Sequence, residues 1–253
     1  MMSEVAAGLW GTVRAEYVVT SRLPPVRWVL LVGLICQLGI LSQTVHFWSP
    51  GPGYYFDQSM VALTQFSWWS LLIIPAYMGA GDAGWKTWGV RLTSATRGVL
   101  VAARVITSAG YALASIVVCA IMGGVLDLVA GEGLSLTVIA QAFFAWVVVV
   151  FWCLLALLVA FVAKSLWVTI TAVICYYLIE SLVLDVWLPA GVPRFLPVDN
   201  QNALLYLLGS EAQGLVVTPH PSAATPESAC VYFPIAMIVM CFLVWLRFRR
   251  DSC

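Results

Sequence analysis

Apolar residues fall along this chain in six long runs separated by short polar stretches, at about 28–47, 59–80, 99–129, 136–163, 165–188 and 230–246. Each run supplies the ~20 residues that carry a helix across a ~30 Å hydrocarbon core. Helix is the form expected, because lipid offers no partner to open backbone groups. The third and fourth runs are long enough to tilt or to project beyond the bilayer. Pro75 lies inside the second run and predicts a kink there, with neighbouring helices satisfying the freed carbonyl. Ahead of the first run, Val5, Leu9, Val13 and Tyr17 recur at steps of four, with Arg14 and Glu16 off that stripe. This pattern predicts an amphipathic helix over 4–22 lying in the interface plane, broken by Pro24-Pro25 before the first crossing.

Composition narrows the class. Of the 253 residues 62% are hydrophobic and 9% charged, against roughly 25% charged in a soluble domain, so a water-facing surface cannot be covered. The expectation is an all-α polytopic membrane protein: six transmembrane helices, a cytoplasmic inner loop at 81–98 and an extracellular segment at 189–229. No cleavable signal peptide is expected, because Glu4, Arg14, Glu16, Arg22 and Arg27 precede the first apolar run. Within 189–229, "QNALLYLLG" predicts a short surface helix ended by Gly209.

Charge sets the orientation. With the N-terminus inside, eleven of the twelve Lys and Arg fall on inner segments, and only Arg194 falls outside. This positive-inside asymmetry predicts cytoplasmic N- and C-termini. Asp57, Asp127, Glu132, Asp185, Asp199, Glu211 and Glu227 lie outside or at the outer rim. The seven Cys form no C-x-x-C pair, and the two His, His46 and His220, have no ligand cluster near them. Neither a disulfide framework nor a metal site is expected.

The stretch "GAGDAGWKTW", Gly79 to Trp88, imitates two nucleotide motifs. A dinucleotide G-x-G-x-x-G needs a preceding strand and an acidic residue about twenty positions on. Here a membrane run precedes it, and after Asp82 the next carboxylate is Asp127. Trp85 also displaces Lys86 from P-loop register. Nucleotide binding by this chain is not expected. The glycines are read as letting the chain leave the bilayer and turn.

From Trp85 onward, "WKTWGVRLTSATRGVLVAARVI" predicts a short amphipathic helix, a turn near Thr93–Thr96, then the next crossing. Asp82, Lys86-Thr87-Trp88, Arg97 and Arg104 stand in this loop and at the start of that crossing. The layout and these residues resemble the permease subunits of type-2 superfamily ABC exporters. Those carry an elbow helix, six crossings and a coupling helix between the second and third. The Lys-Thr-Trp element is most similar to the bacteriocin- and lantibiotic-immunity branch. Arg104 stands where Lys is usual, Asp82 where Glu is, and Ala95-Thr96 where Pro is common.

The resemblance implies one transmembrane permease domain over 1–253 in a cell membrane, a bacterial inner membrane. It implies two cytosolic P-loop ATPase subunits as partners, and a second permease chain, identical or related, beside this one in the lipid. ATP and Mg²⁺ would sit on the ATPases, so this chain would hold no cofactor, catalyse no reaction and bind no nucleic acid. The coupling contacts would be Asp82, Trp85, Lys86, Trp88, Arg91 and Arg97, together with the elbow helix. The cargo would be a drug, a peptide, a lipid or another compound.

Within the membrane runs, Glu180 in "CYYLIESLVLDVW" lies about two-thirds of the way along the fifth. A carboxylate at depth costs about 2.5 kcal/mol or more. It reads either as a residue of the outer interface or as a cavity residue. With Asp185 and Asp127 it would make an acidic vestibule suited to a cationic substrate such as a basic peptide. Trp68 and Trp69 lie away from the interfacial belt and are candidates for lining the pathway. An intramembrane protease is disfavoured because neither H-E-x-x-H nor a Ser–His pair at depth is present. A secondary transporter or channel, or a non-transporting assembly partner, remains the alternative to a permease.

Overall fold

The computed structural model describes residues 2–45, 54–85, 96–131, 138–184, 187–188, 192, 195–207 and 224–250. Among them the chain is helical, with five helices long and apolar enough to cross a membrane, or six where a bent pair counts as one span. The helices are α1 (Met2–Arg22), α2 (Pro24–Val45), α3 (Tyr54–Val61), α4 (Ile73–Trp85), α5 (Arg97–Val129), α6 (Val138–Ala163), α7 (Leu166–Ile179), α8 (Pro197–Leu207) and α9 (Pro226–Arg250). The spans are α2, the α3–α4 pair, α5, α6, α7 and α9. Residues 46–47 of the expected first crossing lie outside the described residues.

α6 is the central post. Its sequence, "AWVVVVFWCLLALLVA", is apolar on every face, the signature of a helix surrounded by protein. Of its span 72% is buried, against 17% for α7 and α9 and 22% for α2. Trp152, Phe151 and Leu154 of α6 make the middle of the core, with Ile74 of α4 and Phe233 of α9 against it. α7 and α9 flank α6, and their outer faces (Trp167, Val168, Ile235, Ile238) remain exposed, as suits contact with lipid. α6 and α7 are joined through Lys164, whose left-handed φ of 53° makes the reversal in a two-residue turn.

The second crossing departs most from expectation. It starts at Tyr54 rather than 59 and breaks in its middle. A π-helical turn (Ala62–Ser67) and a 3₁₀ turn (Trp68–Leu72) separate α3 from α4, with a bend of 49° between Tyr54–Gln65 and Trp68–Gly81. Pro75 does not by itself make this bend. A proline ring crowds the carbonyl four residues back, here Leu71 in the 3₁₀ turn, and does not reach the π turn.

The released backbone is instead held by side chains. Gln37 of α2 donates to the Ser59 carbonyl at 2.6 Å and accepts from the Ser67 hydroxyl at 3.0 Å. Gln201 of α8 donates to the Thr64 carbonyl at 2.8 Å, and its own oxygen accepts from the Trp152 indole at 2.8 Å. A bend in a membrane helix survives where buried partners replace the lost ladder bonds, and these amides do so.

Three further expectations are corrected. The sixth crossing lies in a helix, Pro226–Arg250, longer at both ends than 230–246, while residues 136–137 of the expected fourth lie outside the described residues. The helix within 189–229 begins at Pro197, and Val198, Asn200, Gln201, Ala203 and Leu204 on it are buried. It is therefore an inserted helix rather than a surface one, drawn in by the Gln201 bonds, and Gly209 lies outside the described residues. The glycines of "GAGDAG" do not turn the chain, since α4 continues through them to Trp85. Gly79 instead allows close approach to α6: a Cβ there would stand 3.4 Å from the Leu157 carbonyl and closer still to Ala160.

Gly123 of α5 has a similar role against α3. A Cβ at 123 would lie 2.6 Å from the Phe56 Cα and 2.9 Å from the Tyr55 carbonyl, both backbone atoms that cannot step aside. Gly123→Ala is expected to force α3 off α5 and to cost ~1–3 kcal/mol. Thermal unfolding in detergent, followed by size-exclusion chromatography, should show a lowered midpoint. An unchanged midpoint would mean that the α3–α5 contact is looser than described.

Candidate functional site

Successive antiparallel spans give the bundle two ends. One carries the start of α2, α5 and α7 and the end of α4, α6 and α9; with Arg22, Arg27, Arg97, Lys164, Arg247, Arg249 and Arg250 it is the basic end. The other, the far end, carries α3, α8 and the carboxylates Asp127 and Glu180.

At the basic end α1 packs along α5. Its buried stripe is displaced from the expected one. Glu16 and Thr20 are buried (4% and 0% exposed), whereas Tyr17 is 54% exposed. The cause is Arg104 of α5, itself fully buried, whose Nε stands 3.5 Å from Glu16 Oε1. A charged partner inside the contact makes the glutamate, not the neighbouring tyrosine, the inward residue. Arg104 also lies over the Phe161 ring at 5.7 Å, tying α6 to the same point. Tyr17 stacks on Tyr111 at 5.2 Å, and the Thr20 and Tyr111 hydroxyls are 3.2 Å apart.

The residues expected to couple to a partner are only partly in view. Asp82 and Trp85 end α4, and Arg97 begins α5 after Thr96, which has extended backbone. Lys86, Trp88 and Arg91 lie outside the described residues. The two helix ends that flank the inner loop are thus fixed, and α1 touches both α4 and α5.

At the far end two carboxylates close helix N-termini that belong to other parts of the chain. Asp127, near the end of α5, accepts from the Tyr55 and Phe56 amides of α3 at 2.9 and 3.0 Å. Glu180, at the end of α7, accepts from the Val198 amide of α8. The first amides of a helix lack internal partners and carry partial positive charge, so a carboxylate is their natural complement. Glu180 is 2% exposed. It begins a π-helical turn, Glu180–Leu184, which extends the fifth crossing; Asp185 lies outside the described residues.

Glu180 also lines a small polar cavity of about 70 Å³ with Asp199, Gln65, Asn202 and Ser181. Beside it, a larger cavity of about 610 Å³ opens between α6, α7 and α9 under the start of α8, lined by Phe151, Tyr176, Phe195 and Tyr232 among apolar residues. A third cavity of about 290 Å³ lies between α2, the broken span and α5.

Trp68 is buried and stacks on Trp152 at 4.7 Å and Tyr177 at 5.1 Å, which makes it core of the bent span. Trp69 is half-buried. Sequence reasoning missed Gln37 and Gln201 altogether. An amide within the apolar run "LLVGLICQLGIL" was the available signal for the first, whereas nothing local marks the second.

No protein-family model matches the chain, and no curated protein matches it. Its function therefore has to be argued from its own residues.

Removing one partner of a buried pair is expected to be far worse than replacing both. Glu16→Ala should lower stability by ~3–5 kcal/mol, read as a lower unfolding midpoint in detergent. Glu16→Leu with Arg104→Met should recover most of that loss. If the single and double variants melt alike, the pair does not hold α1 to α5.

Proposed function

We propose that this chain is the membrane-spanning permease subunit of an ATP-driven ABC exporter in a cell membrane, working with two separate cytosolic P-loop ATPase subunits and a second permease chain. The observation that carries the reading is the Glu16–Arg104 pair, which fastens the amphipathic N-terminal helix to the root of α5, seven residues beyond the inner loop. A permease driven from below needs its partner-facing elements joined to a spanning helix, so that a push moves them together. In this reading α1 and the loop 82–97 take up the movement of the ATPases.

α5 has 33 residues, ~50 Å of helix, which is more than the hydrocarbon core requires. A displacement at its base reaches Asp127, and through Asp127 it reaches α3 and the broken second span. The positive-inside asymmetry supports placing the basic end in the cytoplasm. Glu180 and its cavities then lie toward the outer face.

A specific observation favours the second reading. A broken span with polar side chains at depth is a device of secondary transporters, and the α3–α4 pair has that form. One measurement separates the two readings. The tagged chain, purified in mild detergent from its native membrane, is expected to bring down a stoichiometric P-loop ATPase with ATP hydrolysis. Both should be lost when 82–97 is replaced by a Gly/Ser segment of equal length. A chain that purifies alone, from cells expressing candidate ATPases, would overturn the exporter reading in favour of the transporter one.

A further inference from the structure

α7 and α9 both pack on α6 but scarcely on each other. The cleft left between them is the cavity of about 610 Å³, a size within the range of ligand pockets. Its floor is buried: Phe151 of α6 and Val173 of α7 are each 1% exposed. Its rims are not. Ala172 of α7 and Ile235 and Val239 of α9 line the cavity and are also exposed, Ile235 at 57%. The cleft therefore opens sideways, onto the surface that these spans present to lipid. At the far end it is closed by Phe195, Leu196 and Pro197, the turn into α8 and its first residue.

Depth follows from the helices. Tyr232 and Met240, the first and last lining residues of α9, stand six and fourteen residues beyond Pro226, where that helix begins. At 1.5 Å per residue the cleft runs from about 9 to about 21 Å below the far end of α9. With that end at the headgroup level, the cleft lies in the nearer half of a ~30 Å hydrocarbon core. Polarity is graded along it. Among the described lining residues only Tyr176 and Tyr232 carry polar side chains, and both stand at the end nearest α8. Beyond them Leu155 and Val159 of α6 and Val239 and Met240 of α9 offer hydrocarbon alone.

Such a space does not hold water, whose hydrogen bonds would find no partners along most of it. Left empty, its walls would forfeit the dispersion contacts of close packing. The surrounding bilayer supplies a filling of matching form, polar at its outer end and apolar inward. Tyrosine belongs at the membrane–water interface, beside lipid ester groups, and the acyl chains continue from there toward the midplane.

We propose that the cleft between α7 and α9 is a binding site for one acyl chain of a glycerophospholipid from the leaflet at the far end. The chain enters sideways past the exposed rims and lies along α6 over Phe151, Leu155 and Val159. Its ester group stays at the level of Tyr232. The lipid completes the packing of α7 and α9 on α6 where the protein's own side chains leave a gap. This site does not depend on the permease reading, because it follows from how the three spans pack.

The test uses the full chain, one copy per nanodisc and without any ATPase, so its outcome is separate from that of co-purification. The bilayer is palmitoyl-oleoyl phosphatidylglycerol with a trace of the same lipid carrying a diazirine midway along one acyl chain. After illumination the labelled residues are mapped by peptide mass spectrometry. Label is expected on the floor residues Phe151 and Leu155, as well as on Val117 and Ile121 of α5, which are exposed to any surrounding lipid. Ala236→Phe, which places a ring in the cleft, is expected to lower the floor label at least about tenfold, as overfilling a packed site does. The label on α5 should not change, which serves as the reference for a folded, lipid-embedded variant. An unlabelled floor in the unaltered chain, with Val117 and Ile121 labelled, would overturn the proposal, and that comparison needs no variant to fold. A floor label that persists in full in Ala236→Phe would overturn it too. Loss of the floor label in nanodiscs that hold two copies would overturn it in favour of an interface between copies of this chain.

Discussion

The second crossing interrupts its own helix, and in a bilayer every backbone group released by such a break must find its partner within the protein. That requirement organises the rest of the molecule. The Thr64 carbonyl takes Gln201, which brings α8 down into the bundle and gives the Trp152 indole its acceptor. The Ser59 carbonyl takes Gln37, which sets α2 against the break and supplies an acceptor for the Ser67 hydroxyl. The Ser59 hydroxyl reaches in turn to the Cys119 carbonyl of α5 at 2.7 Å. Helices α2, α5, α6 and α8 are thus located by polar bonds around one weak turn, and apolar packing fills the space between them. In lipid, tail–helix and helix–helix apolar contacts are nearly equivalent, so those few directional bonds supply much of the specificity.

Carboxylates have a parallel role at the ends of the spans. Asp127 and Glu180 each belong to one spanning helix and cap a shorter helix from elsewhere in the chain, and Glu16 meets Arg104 at the opposite end. A charge is expensive near the membrane, so each is retained only where an amide row or a guanidinium offsets that expense. Glu180 has a second position as well: the residue that caps α8 also lines the small polar cavity at the start of that helix.

The crossings were legible because each depends on one local property, a run of apolar residues of bilayer length, and the helices found differ from those runs by a few residues at most ends. The long third and fourth runs became α5 and α6, and the uniformly apolar one became the post. Glu180 was equally conspicuous, since any carboxylate within such a run stands out. Features that were not legible depend on partners far apart in sequence. The inward turn of Glu16 is set by an arginine eighty-eight positions away. The burial of α8 is set by a carbonyl in the second crossing. The bend itself arises in a stretch, "VALTQFSWW", whose residues do not forbid a continuous helix; the deciding amides lie on other helices.

These connections also determine how a movement at one end would be felt at the other. α5 contains no proline and runs unbroken from Arg97 to Val129, so it shifts as a rod. Its base is joined to α1 by the ion pair and its far end to α3 by Asp127. The cap of α8, by contrast, comes from α7, and the large cavity lies between α6, α7 and α9. Displacing α5 therefore carries α3 with it, whereas α8 is held by the opposite group of helices. Between α8 and the broken span the bonds are Gln201 to Thr64 and Gln65 to Asn202, the latter at 3.2 Å. Both lie at the π turn, where the helix has the fewest ladder bonds to lose. Gln65 and Asn202 also line the polar cavity, so a shear at this turn would change the shape of that cavity. The break in the second crossing is thus where a displacement of α5 would be felt beside Glu180.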